Sequence, residues 1–262
     1  MSFSDTIIMI PARLGSSRLP KKPLLKINGI PLIIHAYNCA KAANLNIPII
    51  VATDDQLISN TIKDYGGIAL MTSNRHESGS DRIFEALEIF DPHKKYKKII
   101  HLQGDLPNIS GNLIRKLAEV ITDPEKEIAT VIVKATPEEF HDQSVVKVAT
   151  AFSKDNPELN DVGKAMYFSR ACIPTGNTNI WHHIGIYAWQ RNVLERFINL
   201  KPSPLEISEK LEQLRALEAG INIYTIVTSE HPIGVDTDLD LMKAENYFKA
   251  VSYTHLTLPT TR

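Results

Sequence analysis

Residues 6–24, TIIMIPARLGSSRLPKKPL, decide how the rest of the chain is read. The opening TIIMI is an apolar run of strand length. It gives way at once to Arg13, Arg18, Lys21 and Lys22, set among Gly15, Ser16, Ser17 and the prolines Pro11, Pro20 and Pro23. A plain connecting turn needs none of these cations. In an open parallel sheet, however, the loops that leave the carboxyl ends of the strands converge on a ligand. Cations on such a loop offset anionic charge, while glycine and serine let backbone N–H groups and hydroxyls approach phosphate oxygens closely. Pro20 and Pro23 stiffen the part that carries Lys22, which reduces the entropy lost on closing over a ligand. The loop has neither G-x-x-x-x-G-K-[ST] nor G-x-G-x-x-G, so another class of phosphate binding is expected.

Outward from this segment, apolar runs bounded by turn residues recur as PIIVAT, GIALM, KKIIHLQ, IATVIVKA and INIYTIV. Most have helical patterns between them, which predicts an α/β fold. PLIIHAYNCAKAAN places Leu32, Ile33, Ala36 and Ala40 on one face, with Pro31 at its start. DDQLISNTIKDYGG opens on aspartates and closes on glycines, and SGSDRIFEALEIF offers Ser78 or Ser80 as a cap. The alternation over about the first hundred residues predicts right-handed βαβ crossovers and a mostly parallel central sheet. Beyond residue 125, SVVKVATAF, GKAMYFSR and HHIGIYAW are strand-like with little helix between them. They predict a smaller antiparallel extension, around 140–190, laid over or beside the first sheet. Helices are expected again at NVLERFINL and PLEISEKLEQLRALEAG. With no internal repeat or linker, residues 1–250 read as a single domain. The final SYTHLTLPTTR loses helical periodicity, so 251–262 read as a cloning-derived extension or a disordered tail outside the fold.

The chain has 262 residues and a formal net charge of -1, which gives no global field for nucleic acid or an anionic membrane. Its two cysteines, Cys39 and Cys172, lack metal-ligand spacing and read as free thiols in a reducing, cytoplasmic setting. The amino-terminal MSFSDTIIMIPAR has no basic segment followed by a long apolar region, so no signal peptide is expected, and no run approaches a membrane span.

Two aspartates follow strand-like runs. Asp105 stands after Gln103 and Gly104 in KKIIHLQGDLP, and Asp236 follows Gly234 in HPIGVDTDLD. Placed at neighbouring strand ends, they could share Mg²⁺, which commonly takes one or two carboxylates plus substrate phosphates. Taken alone, Asp105 also reads as a turn residue and Asp236 as a helix cap.

The ordered set PARLGSSRLPKKPL, VATDD, ESGSDR, LQGDLP, YFSR, HHIGIYAW, SPLE, LEQLRALEAG and GVDT resembles the 3-deoxy-manno-octulosonate cytidylyltransferase family. The likeness runs from about Ile7 to Phe248. It implies a Rossmann-like fold of the nucleotide-diphospho-sugar transferase type. The reaction it implies is Mg²⁺-dependent: CTP and the acid sugar KDO give CMP-KDO and pyrophosphate for lipopolysaccharide synthesis, in a cytoplasmic homodimer. The resemblance also implies that Arg13, Ser16 and Lys22 hold the CTP phosphates, that Arg18 organises the loop, and that Arg82 and Gln103 lie near the nucleotide. By the same likeness Asp105 and Asp236 hold magnesium, while Arg170, His183, Tyr187, Glu206 and Gln213 line the sugar-acid pocket. Such a reaction needs positioning and charge neutralisation rather than a side-chain nucleophile. His182 and His183 adjoin in a strand and must face opposite sides; the resemblance selects His183 for the pocket. A zinc site is not expected, because no nearby Cys or His completes a common spacing.

Two departures stand out. Leu106 occupies a position where glutamate is frequent in the family, and Lys21 one where glycine is frequent. A related acid sugar, such as 8-amino-KDO or a sialic acid, is the nearest alternative substrate. A non-catalytic nucleotide-binding protein on the same fold is the alternative of a different class, motivated by Leu106 and opposed by Asp105 and Asp236.

Overall fold

Alternation along the first strand sets the layers of the molecule. The computed structural model describes residues 3–15, 19–176 and 179–256. In β1 (Thr6–Ala12), Ile8, Ile10 and Ala12 join one apolar cluster while Ile7 and Met9 join another, because successive side chains point to opposite faces. The chain then runs through β2 (Lys26–Ile27), β3 (Ile30–Pro31), α1 (Leu32–Ala42), β4 (Ile49–Thr53), α2 (Gln56–Asp64) and β5 (Ile68–Met71). It continues with α3 (Gly79–Phe90), β6 (Lys98–His101), α4 (Gly111–Val120), β7 (Ile128–Lys134), β8 (Lys147–Ala151) and β9 (Val162–Ser169). The remaining elements are β10 (Trp181–Gln190), α5 (Arg191–Ile198), α6 (Pro204–Glu209), α7 (Gln213–Glu218), β11 (Ile223–Thr228) and α8 (Asp238–Leu256).

One sheet of nine strands has the order β5-β4-β1-β6-β10-β7-β11-β9-β8. The run from β5 to β6 is parallel throughout, as the βαβ reading predicts. Helices α1, α2 and α4 pack their apolar residues on one face, and α3, α5 and α7 on the other. The four residues expected to share the buried face of α1 are all buried. Of the two candidate caps for α3, Ser78 is the one whose hydroxyl accepts from the Asp81 N–H.

The antiparallel part is not laid over the sheet. β10 is woven into its middle, antiparallel to both β6 and β7, and β9 and β8 extend the same sheet beyond β11. The single helix expected over 204–220 is two short ones, because Lys210 takes a left-handed conformation (φ 55°) that ends α6. The last helix continues to Leu256, past residue 251, through a stretch without glycine or proline. Residues 257–262 lie outside those described. No helix among the described residues is long and apolar enough to cross a membrane.

Candidate active site

A cleft of about 360 Å³ opens where β1, α3 and β6 present their loops, lined by Arg13, Gly15, Lys22, Arg82, Gln103, Asp105 and Asp236 among others. Its volume falls in the range of small-molecule sites. Arg13 follows β1 directly, and its Nη1 donates to the Glu77 carbonyl at 3.4 Å. Ser16 and Arg18, both assigned to CTP, lie outside the described residues. Lys22 begins a short 3-10 turn, Lys22–Leu24, launched by Lys21 at φ 57° and ψ 29°. That left-handed conformation suits glycine, the residue the resemblance leads one to expect here, and it leaves Lys21 exposed and mildly strained.

The Lys22 ammonium joins the two aspartates. Nζ donates to Asp105 Oδ2 at 2.6 Å and to Asp236 Oδ1 at 3.0 Å. Burial works against this charge, but Asp105 and then Asp236 outweigh it and raise the pKa of Lys22 above its ordinary value. Gly104 allows the Asp105 loop to pass close to β1: a Cβ there would stand 3.0 Å from the Pro11 carbonyl oxygen and from Ile33 Cδ1. Asp236 arrives from the opposite end of the chain. The Val235 N–H donates to the Asp105 carbonyl at 3.0 Å, and Val235 is buried with Leu19, Ile27, Leu32 and Ala244. Leu106 packs against the main core, and its Cδ2 would lie 3.8 Å from a Cβ on Gly234. An apolar side chain thus stands beside Gly234 where the resemblance leads one to expect a carboxylate.

Arg82 lines the cleft with its guanidinium already anchored. Nη2 donates to Asp54 Oδ2 at 2.7 Å and Nη1 to Thr72 Oγ1 at 2.8 Å, which fixes this buried charge in the wall. Gln103 Nε2 lies 3.4 Å from His101 Nε2. Cys39 has no place at the cleft; burial pushes its thiol up to about 11, away from thiolate chemistry. Both cysteines are free thiols, as their spacing suggests.

Among the described residues, none of Arg170, His183, Tyr187, Glu206 or Gln213 lines this cleft. Some of them lie directly behind its wall. A Cβ on Gly79, a lining residue, would be 3.3 Å from His101 Nε2, and the His101, Tyr187 and His183 rings follow at centroid spacings of 6.2 and 5.5 Å. His183 and Tyr187 are neighbours because β10 bulges. Ile184 pairs with Val131, yet the next pair towards β7 is Tyr187 with Thr130. Two residues are looped out, so positions four apart in sequence sit like positions two apart on a regular strand. The Thr130 hydroxyl pins the bulge by donating to the Ile186 carbonyl at 2.7 Å. Its oxygen is 2.9 Å from His183 Nε2, which places the imidazole proton on Nε2. Burial lowers the pKa of His101 to about 4, and burial with the His182 charge lowers that of His183 to about 3, so both rings are neutral at pH 7. Burial, reinforced by Glu212, raises the Tyr187 hydroxyl well above its ordinary value.

Glu212, beside the buried Gln213, is an acid behind this wall that sequence reasoning did not single out. Its Oε2 accepts from Ser80 at 3.2 Å, and burial raises its pKa. His101 Nδ1 and Glu212 Oε1 are buried without a hydrogen-bond partner among the described residues. The remaining expected residues are tied into the fold. Arg170 donates to the carbonyls of Gln143 and Glu209 at 2.9 and 3.2 Å. Glu206 is clasped by Arg215 at 2.7 and 2.6 Å and closes a capping box with Ser203; burial raises its pKa, but Arg215 outweighs that and lowers it overall.

Comparison with known proteins places both the sequence and the fold. The cytidylyltransferase family model matches residues 7–223. The 3-deoxy-manno-octulosonate cytidylyltransferase of Brucella suis is 46% identical over 243 residues, covering 92% of this chain and 95% of that protein. The protein of the same name from Methylobacterium nodulans is 45% identical over 92% of this chain and 96% of its own length. A solved structure of CMP:2-keto-3-deoxy-manno-octonic acid synthetase complexed with CTP superposes with a TM-score of 0.85 at 38% identity, over 95% of this chain and 100% of that one. UDP-glucose pyrophosphorylase, at 12% identity and a TM-score of 0.66 over 94% of this chain and 99% of that one, shares the fold alone. With the sequence likeness spanning nearly the whole chain and the fold that of the nucleotide-diphospho-sugar transferases, this chain belongs to the 3-deoxy-manno-octulosonate cytidylyltransferases of the cytidylyltransferase family.

Proposed function

We propose that this chain transfers CMP from CTP to the anomeric hydroxyl of 3-deoxy-D-manno-octulosonate (KDO), releasing pyrophosphate, as a step of lipopolysaccharide synthesis in the cytoplasm. The observation that carries this reading is the convergence of Asp105 and Asp236 on Lys22 Nζ at a cleft that also holds Arg13. Lys22 Nζ holds the two carboxylates side by side, and an all-oxygen donor pair of this kind fits Mg²⁺. Asp105 and Asp236 would hold that ion, which when bound neutralises phosphate charge and makes a sugar hydroxyl easier to deprotonate.

The chain's own residues supply the rest. Lys22 and Arg13 offset charge on the departing pyrophosphate, with Ser16 and Arg18 assigned to the same loop by resemblance. Arg82 and Gln103 form a preorganised wall for the nucleotide. Behind it, the unpartnered His101 Nδ1 and Glu212 Oε1 support a ligand rich in hydroxyls, since buried polar atoms are rarely left unsatisfied. His183, Tyr187 and Gln213 shape that side, and Arg170, fixed by backbone carbonyls, suits the sugar carboxylate. Glu206 contributes by holding Arg215. The free thiols support the cytoplasmic assignment, and the exposed apolar side chains of Met166, Leu205 and Ile207 support a homodimer. Pyrophosphate release tests the proposal, with each NTP and each acid sugar, with and without Mg²⁺. Release with CTP plus KDO that depends on Mg²⁺ is expected. No release with CTP and KDO or its 8-amino analogue would overturn the reading, and faster release with a sialic acid would move the substrate.

A further inference from the structure

Three metal-ligating side chains from distant parts of the chain meet outside the set that lines the cleft. Glu139 ends the 3-10 turn Pro137–Glu139 after β7, His182 is on β10, and His231 lies between β11 and α8. One ligand atom from each lies within 4.8 Å of the other two. The strand explains the placement of His182: with His183 turned to Thr130, its neighbour must face the other side. His182 Nδ1 is 3.0 Å from Glu139 Oε1, and Glu139 is itself held, its Oε2 accepting from the Thr136 N–H at 2.9 Å. The two side chains are only 20% and 21% exposed, whereas His231 is exposed and leaves a route of entry. Lys147, the nearby cation, has its three donors engaged by the carbonyls of Asp142, Val145 and Arg170, at 2.6, 2.9 and 3.0 Å. A Glu–His hydrogen bond accounts for two members of this group; the approach of a second imidazole makes it a donor set.

We propose that Glu139, His182 and His231 bind a divalent transition-metal ion of the zinc type, at a site separate from Asp105 and Asp236. Two imidazoles and one carboxylate suit Zn²⁺, with positions left for water, while Mg²⁺ prefers oxygen ligands alone. Local spacing around the histidine pair gives no sign of the site because its ligands come from separate elements. Once bound, the ion would fasten His231 to the sheet and so stiffen the segment whose Ile233 N–H bonds Asn108 Oδ1 at 2.8 Å and whose Val235 N–H bonds Asp105.

The test is calorimetric titration of ZnCl₂ into the tag-free, chelator-treated full chain without nucleotide, paired with CoCl₂ absorption spectra. The parent and the Asp105→Asn, Asp236→Asn double variant are expected to bind Zn²⁺ alike, without competition from Mg²⁺. His231→Ala and Glu139→Gln are each expected to weaken binding at least about 10-fold and to lose the Co²⁺ d–d bands. His231 is exposed, so its removal leaves the fold intact, which circular dichroism checks. Absence of Zn²⁺ binding by the parent, undiminished binding by His231→Ala, or loss of binding in the double aspartate variant would overturn the proposal.

Discussion

The two sides of the candidate site use charge differently. At the cleft, Lys22, Asp105 and Asp236 come from three separate segments and bond to one another at an opening. Beyond the wall, Arg215 clasps Glu206, and Arg170 bonds the backbone at Gln143 and Glu209. Both groups tie the chain to itself; what differs is that only the first does so at the cleft. The resemblance gives Lys22, Asp105, Asp236, Arg170 and Glu206 alike as site residues; among the described residues the first three line the cleft and the last two do not.

The strongest test of that separation is Asp105→Ala and Asp236→Ala. Each is expected to lower kcat on the order of 10³-fold while the circular dichroism spectrum keeps its parent shape. Turnover near that of the parent would remove the cleft's claim to chemistry. Glu206→Gln should behave oppositely: it strips Arg215 of its partner and costs about 3 kcal/mol in urea unfolding, with KM for KDO near the parent value. A raised KM at unchanged stability would instead put Glu206 on the ligand.

The neutral histidines behind the wall give a pH signature of similar size. Because His101 and His183 have folded-state pKa values of about 4 and about 3, below the ordinary 6.5, the unfolded chain binds more protons in between. Stability is therefore full above pH 6.5 and falls as the pH drops towards 4, on the order of 3 kcal/mol for His101 alone. Urea midpoints measured between pH 7 and 4.5 check this, and His101→Asn should lose less stability over the same range. An identical acid response in that variant would show that the ring is not the source. Smallest of all, Lys21→Gly should raise stability by up to about 1 kcal/mol, because it relieves a left-handed residue without touching Lys22. Lower stability would mean that the Lys21 side chain does more than add charge.

The parallel half of the fold is legible in sequence because its cues are local: apolar runs, Asp55 and Ser78 as caps, and crossover helices of ordinary length. The place of β10 is not, since a strand's neighbours are chosen by pairings across the whole chain. The break at Lys210 depends on one residue's φ, which the helical pattern of 204–220 conceals. The same divide runs through the site. Lys22, Asp105 and Asp236 are visible in loops after strand-like runs, whereas the surroundings of His101 and Glu212 are set by burial, which has no signature in the residues beside them.

The bond from the Val235 N–H to the Asp105 carbonyl also sets an order in time. Asp105 leaves the ribosome with the parallel half of the sheet, but Asp236 follows β11, which must first seat itself beside β7. A nascent chain can therefore fold its first strands and shape most of the cleft while still lacking one of the two carboxylates.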